Sequence, residues 1–359
     1  MWAYRVRTLT ALLTVSASTI PSYVRSFEKI VKPRRILFKK MSAHARDISS
    51  PPLIDVDCNL IHRDLKPLFD EASNLPPPFQ ILQQDAIKEA NIVAVLSPSS
   101  TIDEAKAILE LLPASSELPS IRTTVGVHPY HVIDEGPTLE EQMETCVELL
   151  EKYSCHIAAV GECGLDSSDG FPPIEEQIPW FQAQIALAEQ FRKPVFVHER
   201  FAHRKTMELL ANCTVPVIIH CFTGNLEECQ AYVERGYYIS LSGFICKDTE
   251  EAVDTLNCLH ILPLDRLMLE TDAPYMGFRG CRDLYLEKHP ESLAELNSKS
   301  RKRLTNTFYP NVPSSLALLL DRVVETLQQR SPSISRDEVA WQTSKNANRF
   351  FHFNLEDLD

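Results

Sequence analysis

Two features that define other protein classes are missing from this sequence of 359 residues. Its ten cysteines include no CxxC pair and lack the dense spacing of a disulfide scaffold, so reduced, mostly structural thiols are expected. No uninterrupted apolar run approaches the roughly 18 residues that span a bilayer. The composition, 44 % hydrophobic and 24 % charged, is typical of a soluble globular protein. A membrane-embedded protein and a small disulfide-rich domain are both disfavoured.

Positive charge is scarce outside the first 46 residues. Ten basic residues against one acidic residue give that segment about +9, which leaves about −22 for the rest of a chain whose net charge is −13. An acidic body argues against strong sequence-independent binding to duplex DNA, because such binding needs clustered Lys and Arg. Any contact with nucleic acid is therefore expected to be local.

The basic, acid-poor segment 1–46 is typical of an organelle transit peptide. Leu9 to Ile20 fit the apolar region of a signal peptide instead, and a disordered tail with Met41 as an alternative start is the remaining interpretation. The predicted location is cytoplasm or nucleus, with mitochondrion or plastid as the alternative.

Eight short apolar runs rich in β-branched residues recur along the chain and predict strands. They span residues 53–57, 91–97, 121–128, 156–162, 194–198, 215–220, 237–243 and 266–272. Segments with helical periodicity, such as 178–193, lie between them, and this alternation predicts parallel strands joined by crossovers. The sequence therefore predicts an α/β fold, a single-domain (β/α)₈ TIM barrel over residues 50–353 behind the extension 1–46.

Polar side chains stand at the ends of these runs, where a barrel of this kind gathers its catalytic groups. They are Asp57 with Asn59, Ser97, His128, Glu162, His198, His220, Ser242 with Gly243, and Asp272. One histidine in such a place is usually structural, but charges on six strands would each cost desolvation energy without a use. Carboxylates and imidazoles at one rim indicate a divalent metal site of the Zn, Mn or Mg kind and metal-assisted hydrolysis.

Several motifs in order resemble the signatures of the TatD-type metal-dependent deoxyribonucleases, which are amidohydrolase-like barrels. They are GVHPY (126–130), AAVGECGLD (158–166), VFVHERFAH (195–203), VIIHCFTG (217–224), SGFIC (242–246), LMLETDAPY (267–275) and NANRFF (346–351). The resemblance spans about residues 53–351 and implies a nuclease, expected to be an exonuclease, with one or two divalent ions (Mg, Mn or Zn) per chain. The implied partner is DNA that is single-stranded or has a free end, with no membrane and no obligate protein partner.

The resemblance also implies roles for individual residues. Glu162, His198, His220 and Asp272 are expected as metal ligands, and Asp272 and Glu162 as catalytic groups, with Asp272 activating a water molecule. His128, in GVHP, is expected beside the scissile phosphate rather than on the metal.

The first strand departs from the family pattern. Many members carry an H-x-H pair where this chain has Asp57 and Asn59, and the i, i+2 spacing still directs both side chains into the mouth. A carboxylate and an amide make this half of the site better suited to Mg or Mn than to Zn. We expect one firmly held metal at the four ligands above and a second, exchangeable ion near Asp57. Glu270 is expected to orient a ligand or to pair with an arginine rather than to bind metal.

The resemblance places substrate contacts in two motifs. Arg200 and His203 in VHERFAH and Thr223 in HCFTG are expected on the substrate side, with surface salt-bridging as the alternative for the first two. Glu199 and Phe201 depart from the commoner wording of this motif. Glu199 is expected either to support the ligands or to face solvent, which leaves substrate orientation open.

A long loop, 277–310, follows the eighth run and contains Lys299 and the basic run 301–303. At the mouth of a barrel such a run is placed to neutralise DNA phosphates, with Tyr130, Tyr275 or Phe278 stacking on a base. The alternative is a solvated charge run with aromatic residues in the core.

Two other functions stay open from the sequence. One is a barrel of the same fold that hydrolyses a small ester, amide or lactone, since fold does not imply function. The other is a catalytically silent barrel kept for binding, which the intact ligand residues argue against.

Overall fold

A ring of parallel strands organises the chain, of which this computed structural model describes residues 51–69, 73–112 and 118–358. The strands follow one another in chain order within a single sheet, and each pairs in parallel with the next. They are Leu53–Asp55 (β1), Ile92–Ser97 (β2), Ser120–Val125 (β3), Ile157–Asp166 (β4), Val195–Arg200 (β5), Val217–His220 (β6), Tyr238–Leu241 (β7) and Leu267–Leu269 (β8). The Val56 amide donates to the Leu269 carbonyl (3.2 Å) and the Asp272 amide to the Asp57 carbonyl (2.8 Å), so β1 meets β8. The predicted (β/α)₈ barrel is confirmed.

Helices surround the strands and continue beyond the eighth. In the described residues they are Asp85–Glu89 (α1), Ile102–Leu111 (α2), Leu139–Tyr153 (α3), Ile174–Phe191 (α4), His203–Leu209 (α5), Leu226–Glu234 (α6), Glu250–Asn257 (α7), Asp283–Glu287 (α8), Pro290–Glu295 (α9), Ser298–Asn306 (α10), Leu316–Gln328 (α11) and Arg336–Phe351 (α12). No helix in this part of the chain is both long and apolar enough to cross a membrane. The ten cysteines, all within it, are unpaired as expected.

The interior of the barrel is a packed core, and it forms the floor of the mouth. Ile54, Leu96, Phe196 and Met268 fill it from the strands, and the end of α12 closes the opposite end with Phe351. The Phe196 and Phe351 rings lie 6.1 Å apart. Polar side chains that follow the strands therefore collect at the open end only.

Strand ends differ from the predicted runs in ways that matter for the mouth. β4 continues to Asp166, past the predicted end at Glu162, and its register with β5 shifts between Val160 and Cys163. Such a bulge bends a strand and redirects a side chain. Gly161 permits it, because φ is +141° there and a Cβ would lie 2.3 Å from the Phe196 carbonyl oxygen.

The predicted extension 1–46 and the start of the barrel at residue 50 lie outside the described residues, so this division stays a prediction. The predicted loop 277–310 is instead largely helical, since α8, α9 and α10 lie within it.

Candidate metal centre

Six strands bring the predicted polar residues to the open end of the barrel, and His128, which follows β3, is one of these residues. His198 in β5 pairs in register with His220, the last residue of β6. Glu162 lies beside them in β4, directly after the bulge. Asp57 and Asp272 follow β1 and β8 and are held together by the backbone bond that closes the barrel.

One oxygen of Glu162 is the meeting point of three histidines. Oε1 lies 2.8 Å from His220 Nε2, 3.3 Å from His198 Nδ1 and 3.4 Å from His128 Nε2. Burial disfavours the charged carboxylate, but His220 and His128 outweigh it and hold the pKa of Glu162 well below its usual range. Burial lowers the pKa of His128 to about 3, so this imidazole is neutral and able to coordinate.

His198 is oriented by Asp166, which the sequence reading missed. His198 Nε2 lies 2.8 Å from Asp166 Oδ2, and the other oxygen of this buried carboxylate accepts from the Ser168 amide at 2.7 Å. With Nε2 held in this way, Nδ1 faces Glu162, which is the carboxylate–imidazole arrangement common behind metal ligands. The signal was available: Asp166 is the last residue of the GECGLD motif, but the predicted strand stopped four residues earlier.

A second group of metal-ligating side chains lies at the other ring nitrogen of His220, Nδ1. His220 Nδ1 lies 3.2 Å from Asp57 Oδ2 and 3.6 Å from Glu270 Oε1. All three atoms are buried and have no hydrogen-bond partner among the described residues. Buried polar atoms without partners are costly, and two carboxylate oxygens and an imidazole nitrogen are the donors that a divalent cation takes. The donor set at this place therefore fits a divalent ion.

The structure groups the candidate ligands differently from the sequence reading. Ligand atoms of His128, Glu162 and His198 lie within 4.8 Å of one another, and those of Asp57, His220 and Glu270 form a second such group. His128 was expected at the phosphate and Glu270 only as an orienting group.

Asn59 and Asp272 stand at the edge of the second group. Asn59 Nδ2, a donor, lies 3.2 Å from Asp57 Oδ1 and 3.1 Å from Asp272 Oδ1, and so bridges the two carboxylates. Burial and the neighbouring Glu270 raise the pKa of Asp272 to about 7. Burial and Asp272 likewise raise the pKa of Asp57 well above its usual value. The ligand roles of Asn59 and Asp272 stay predictions.

In the described part of the chain, none of the residues predicted on the substrate side makes a hydrogen bond, an ion pair or a ring contact with the side chains of the candidate ligands. The Arg200 guanidinium lies 5.1 Å from the centre of the Phe201 ring. His203 begins α5, and its ring meets Tyr232 edge-on at 4.7 Å. Thr223 lies in the loop before α6, half-buried. Their roles also stay predictions.

Glu199, whose direction the sequence left open, is turned into the protein. It accepts hydrogen bonds from the Ala202 amide and the Tyr232 hydroxyl, both at 2.8 Å, and burial raises the pKa of its carboxyl. Its side chain therefore stabilises the turn after β5, and neither of these hydrogen bonds involves a candidate metal ligand.

Comparison with known proteins relates this chain to the TatD nucleases. The family model "TatD related DNase" matches residues 54–352. The 3'-5' ssDNA/RNA exonuclease TatD of Salmonella typhimurium is 33 % identical over 190 residues, which are 52 % of this chain and 70 % of that protein. The protein of the same description from Escherichia coli strain K12 is 34 % identical over 191 residues, again 52 % and 70 % of the two chains.

Solved structures share the fold at lower identity. YJJV, a TatD homolog from Escherichia coli K12, has a TM-score of 0.63 and 24 % identity, and the match covers 84 % of this chain and 98 % of that one. A TatD family hydrolase from Entamoeba histolytica has a TM-score of 0.64 and 21 % identity with the same coverage. An uncharacterized amidohydrolase from Saccharomyces cerevisiae has a TM-score of 0.63 and 18 % identity, covering 84 % of this chain and all of that one.

Proposed function

The chain belongs to the TatD-related DNase family, and we propose that it removes nucleotides from an end of single-stranded nucleic acid. Membership makes it a metal-dependent deoxyribonuclease that hydrolyses phosphodiester bonds. The finer assignment, an exonuclease acting on single strands, is supported by the relatives described as 3'-5' ssDNA/RNA exonucleases. The predicted hydrolase and nuclease thus hold, and neither the small-molecule hydrolase nor the silent barrel is favoured.

The observation that carries the proposal is the presence of two groups of metal-ligating side chains, one at each ring nitrogen of His220. We assign Glu162, His198, His220 and Asp272 as metal ligands, as predicted, and the distances add His128 and Glu270. When bound, divalent cations at these groups would lower the pKa of a water molecule and neutralise charge on the phosphate.

The two groups differ in chemical character, which bears on the choice of ions. The group of Glu162 has two imidazoles and suits Zn or Mn. The group of Asp57 and Glu270 has two carboxylates and one imidazole, and it suits Mg or Mn. We therefore propose two ions per chain, with the second near Asp57 as the exchangeable one.

The chain's own residues supply the remaining steps. Asp272, whose pKa burial and Glu270 raise to about 7 in the metal-free chain, is our candidate for the general base that accepts the proton of the attacking water. Asn59 donates a hydrogen bond to Oδ1 of Asp272, and the other oxygen of Asp272, Oδ2, lies 3.6 Å from Cys221 Sγ. Arg200, two residues after His198, is our candidate for the phosphate group next to the scissile one.

Cleavage of end-labelled DNA tests the proposal. Purified protein is incubated with single-stranded and duplex DNA, labelled at either end, with Mg, Mn or Zn added in turn. We expect metal-dependent loss of single nucleotides from single strands and no cleavage by Asp272→Ala. Asp265→Asn, an exposed acid paired with Arg266 outside the mouth, is the control and retains activity. Cleavage of a small ester with no cleavage of DNA by the parent would favour the other hydrolase instead.

The compartment depends on residues before 51 and remains a proposal: cytoplasm or nucleus, or an organelle if the basic segment is removed. Mass spectrometry of the mature N-terminus decides, since cleavage near residue 46 supports the organelle.

A further inference from the structure

We infer that three aromatic side chains beside the metal centre, His62, Tyr275 and Tyr309, form a stacking surface for an unpaired base of the substrate. We call this set the aromatic shelf. The inference rests on the proposed function and goes further, because it assigns residues that select single strands.

Two rings of the shelf, Tyr275 and Tyr309, are exposed and the third, His62, is half-buried, and all three are held next to one another. The His62 and Tyr275 rings are 5.2 Å apart at an angle of 70°, and those of Tyr275 and Tyr309 are 6.5 Å apart. Tyr275 and Tyr309 each expose 46 % of their surface, and Phe308 exposes 47 %. Contiguous exposed aromatic surface on a protein usually marks a binding site. Phe278, which the sequence also suggested for stacking, is 2 % exposed and belongs to the core.

The shelf joins the metal centre through the backbone. The Tyr275 amide donates to the Asp272 carbonyl at 2.7 Å. One tight turn therefore links the Tyr275 ring to Asp272, the proposed general base. A further aromatic ring lies at the centre, since Phe171 stacks on His198 at 6.1 Å. A strand whose scissile phosphate reaches the metal ligands therefore has a base within reach of the shelf.

The segment that carries Tyr309 is fixed in place by a buried arginine. Arg282 donates to the carbonyls of Leu304 and Pro310, both at 2.6 Å, and of Thr307. The Tyr309 hydroxyl donates to Asp64 Oδ2 at 2.7 Å. A site held in this way loses little conformational entropy when a ligand binds.

Gly277 shows how closely this segment approaches the turn after Tyr275. A Cβ at Gly277 would lie 1.6 Å from the Phe308 carbonyl oxygen, so only glycine allows the contact. The Asn311 amide also donates to the Pro274 carbonyl at 2.8 Å. The segment and the turn therefore form one preorganised surface.

Basic side chains precede the shelf in an otherwise acidic chain. α10 ends at Asn306, two residues before Phe308, and contains no acidic residue. Arg301 donates hydrogen bonds to backbone carbonyls within α9 and to the Leu296 carbonyl directly after it. Lys299, Lys302 and Arg303 are exposed and have no ion pair among the described residues. Phosphates on α10 and a base on the shelf together match a single strand, in which the faces of the bases are free.

Binding to strands with and without bases tests the shelf. Fluorescence anisotropy is measured on Asp272→Asn, which cannot cleave, with oligothymidylate, with an abasic strand of the same length and with duplex. We expect Tyr275→Leu and Tyr309→Leu to weaken binding of the thymidylate about tenfold each. Binding of the abasic strand should stay at the parent value, because its phosphates are unchanged. Parent-like affinity for thymidylate in both variants, or an equal loss for both strands, would overturn the shelf.

Conservative and remote variants complete the design. Tyr309→Phe keeps the ring without the bond to Asp64 and should bind like the parent, whereas a loss equal to that of Tyr309→Leu would contradict stacking. Val253→Ala, an exposed apolar residue of α7, should change nothing. If the parent is a dimer that Tyr275→Leu dissociates, the surface binds a second copy and the inference fails.

The basic residues have their own measurement. Lys302→Ala and Arg303→Ala should each weaken binding of both the thymidylate and the abasic strand. Each should also reduce the steepness of log affinity against log salt concentration by about 0.7. Lys205→Ala, paired with Glu208, is the control. An unchanged slope in both variants would remove α10 from the surface.

Failure of the shelf and failure of the proposed function give different results. A parent that cleaves thymidylate and abasic strands equally, with shelf variants like the parent, leaves the nuclease and removes the shelf. A parent that cleaves neither strand with any metal removes the nuclease, while stronger binding of thymidylate than of the abasic strand still supports the shelf.

Discussion

Single side chains decide which nitrogen of each histidine faces the metal centre. Asp166 holds His198 Nε2 at 2.8 Å, so that Nδ1 is left for Glu162 and an ion. The asparagine in Asp166→Asn would keep the size but offer a neutral and weaker acceptor. We expect metal affinity and activity to fall about 10- to 100-fold, measured by calorimetric titration of Mn and by DNA cleavage.

The matched control for this change is Asp169→Asn, an exposed carboxylate three residues further on. It should leave both quantities at the parent value. An Asp166→Asn protein that binds Mn as tightly as the parent would remove Asp166 from its positioning role.

Asp55 gives a prediction for stability against pH. It is fully buried, accepts from the Thr271 amide (2.8 Å) and hydroxyl (2.6 Å), and burial raises its pKa from 3.8 to about 8. A raised carboxyl pKa stabilises the folded state below 3.8, and this contribution is lost as pH rises through about 8.

Asp55→Asn mimics the protonated acid, so its free energy of unfolding should fall less steeply with pH. The difference in slope should reach at most about 1.4 kcal/mol per pH unit, measured by urea unfolding in EDTA. Asp265→Asn, on the surface, should keep the parent slope. Parallel curves for Asp55→Asn and the parent would show that Asp55 is charged in the folded state.

At the scale of elements, the bulge in β4 places Glu162. Gly161 has φ +141° and almost no space at Cβ, whereas Gly170 has φ +91° and no atom within 4 Å of a Cβ. Gly161→Ala combines backbone strain with a clash, so we expect a loss of about 3 kcal/mol or more in the free energy of unfolding. Gly170→Ala has strain alone and should lose about 1–2 kcal/mol. Urea unfolding compares the two, and equal losses would mean that the bulge relaxes at little cost.

The same element shows what the sequence can and cannot predict. All eight strands were predicted because apolar, β-branched runs depend on local composition. The length of β4 was not, because a bulge is a tertiary contact between Gly161 and Phe196 that no periodicity records. Asp166 was missed for this reason.

The site itself was predicted as a set of residues but not as a grouping. The ends of the strands identified Glu162, His198 and His220, because a barrel brings its strand ends to one mouth. Which nitrogen of His220 faces which carboxylate depends on side-chain rotation, which the sequence does not give. Glu270 was predicted to orient a ligand or pair with an arginine, and its place beside His220 Nδ1 could not be predicted in this way. The three helices of the insertion after β8 were also predicted as loop, since each is short, with five, six and nine residues.

At the scale of the whole molecule, the closed barrel forces like charges together. Glu162 in β4 and Asp57 and Glu270, which follow β1 and β8, are buried at one end, and Asp272 is half-buried beside them. The charge of Asp272 raises the pKa of Asp57. Without a bound cation, repulsion between these carboxyl groups lowers the free energy of unfolding. Cation binding should therefore stabilise the folded state, because the cation binds the folded protein and not the unfolded chain.

Thermal unfolding in EDTA and with added Mn tests this linkage. At a Mn concentration 100 times the dissociation constant, the gain for the parent should be about 2.7 kcal/mol per site. Asp57→Asn removes a buried carboxyl group whose ionisation is disfavoured by burial and by Asp272, so we expect its metal-free form to be at least as stable as the parent and its gain with Mn to be smaller. Opposite signs for these two effects distinguish a ligand from a structural residue, whose loss would lower the stability of both forms alike. A gain equal to that of the parent would show that Asp57 holds no ion, and the second site would then lack its main carboxylate.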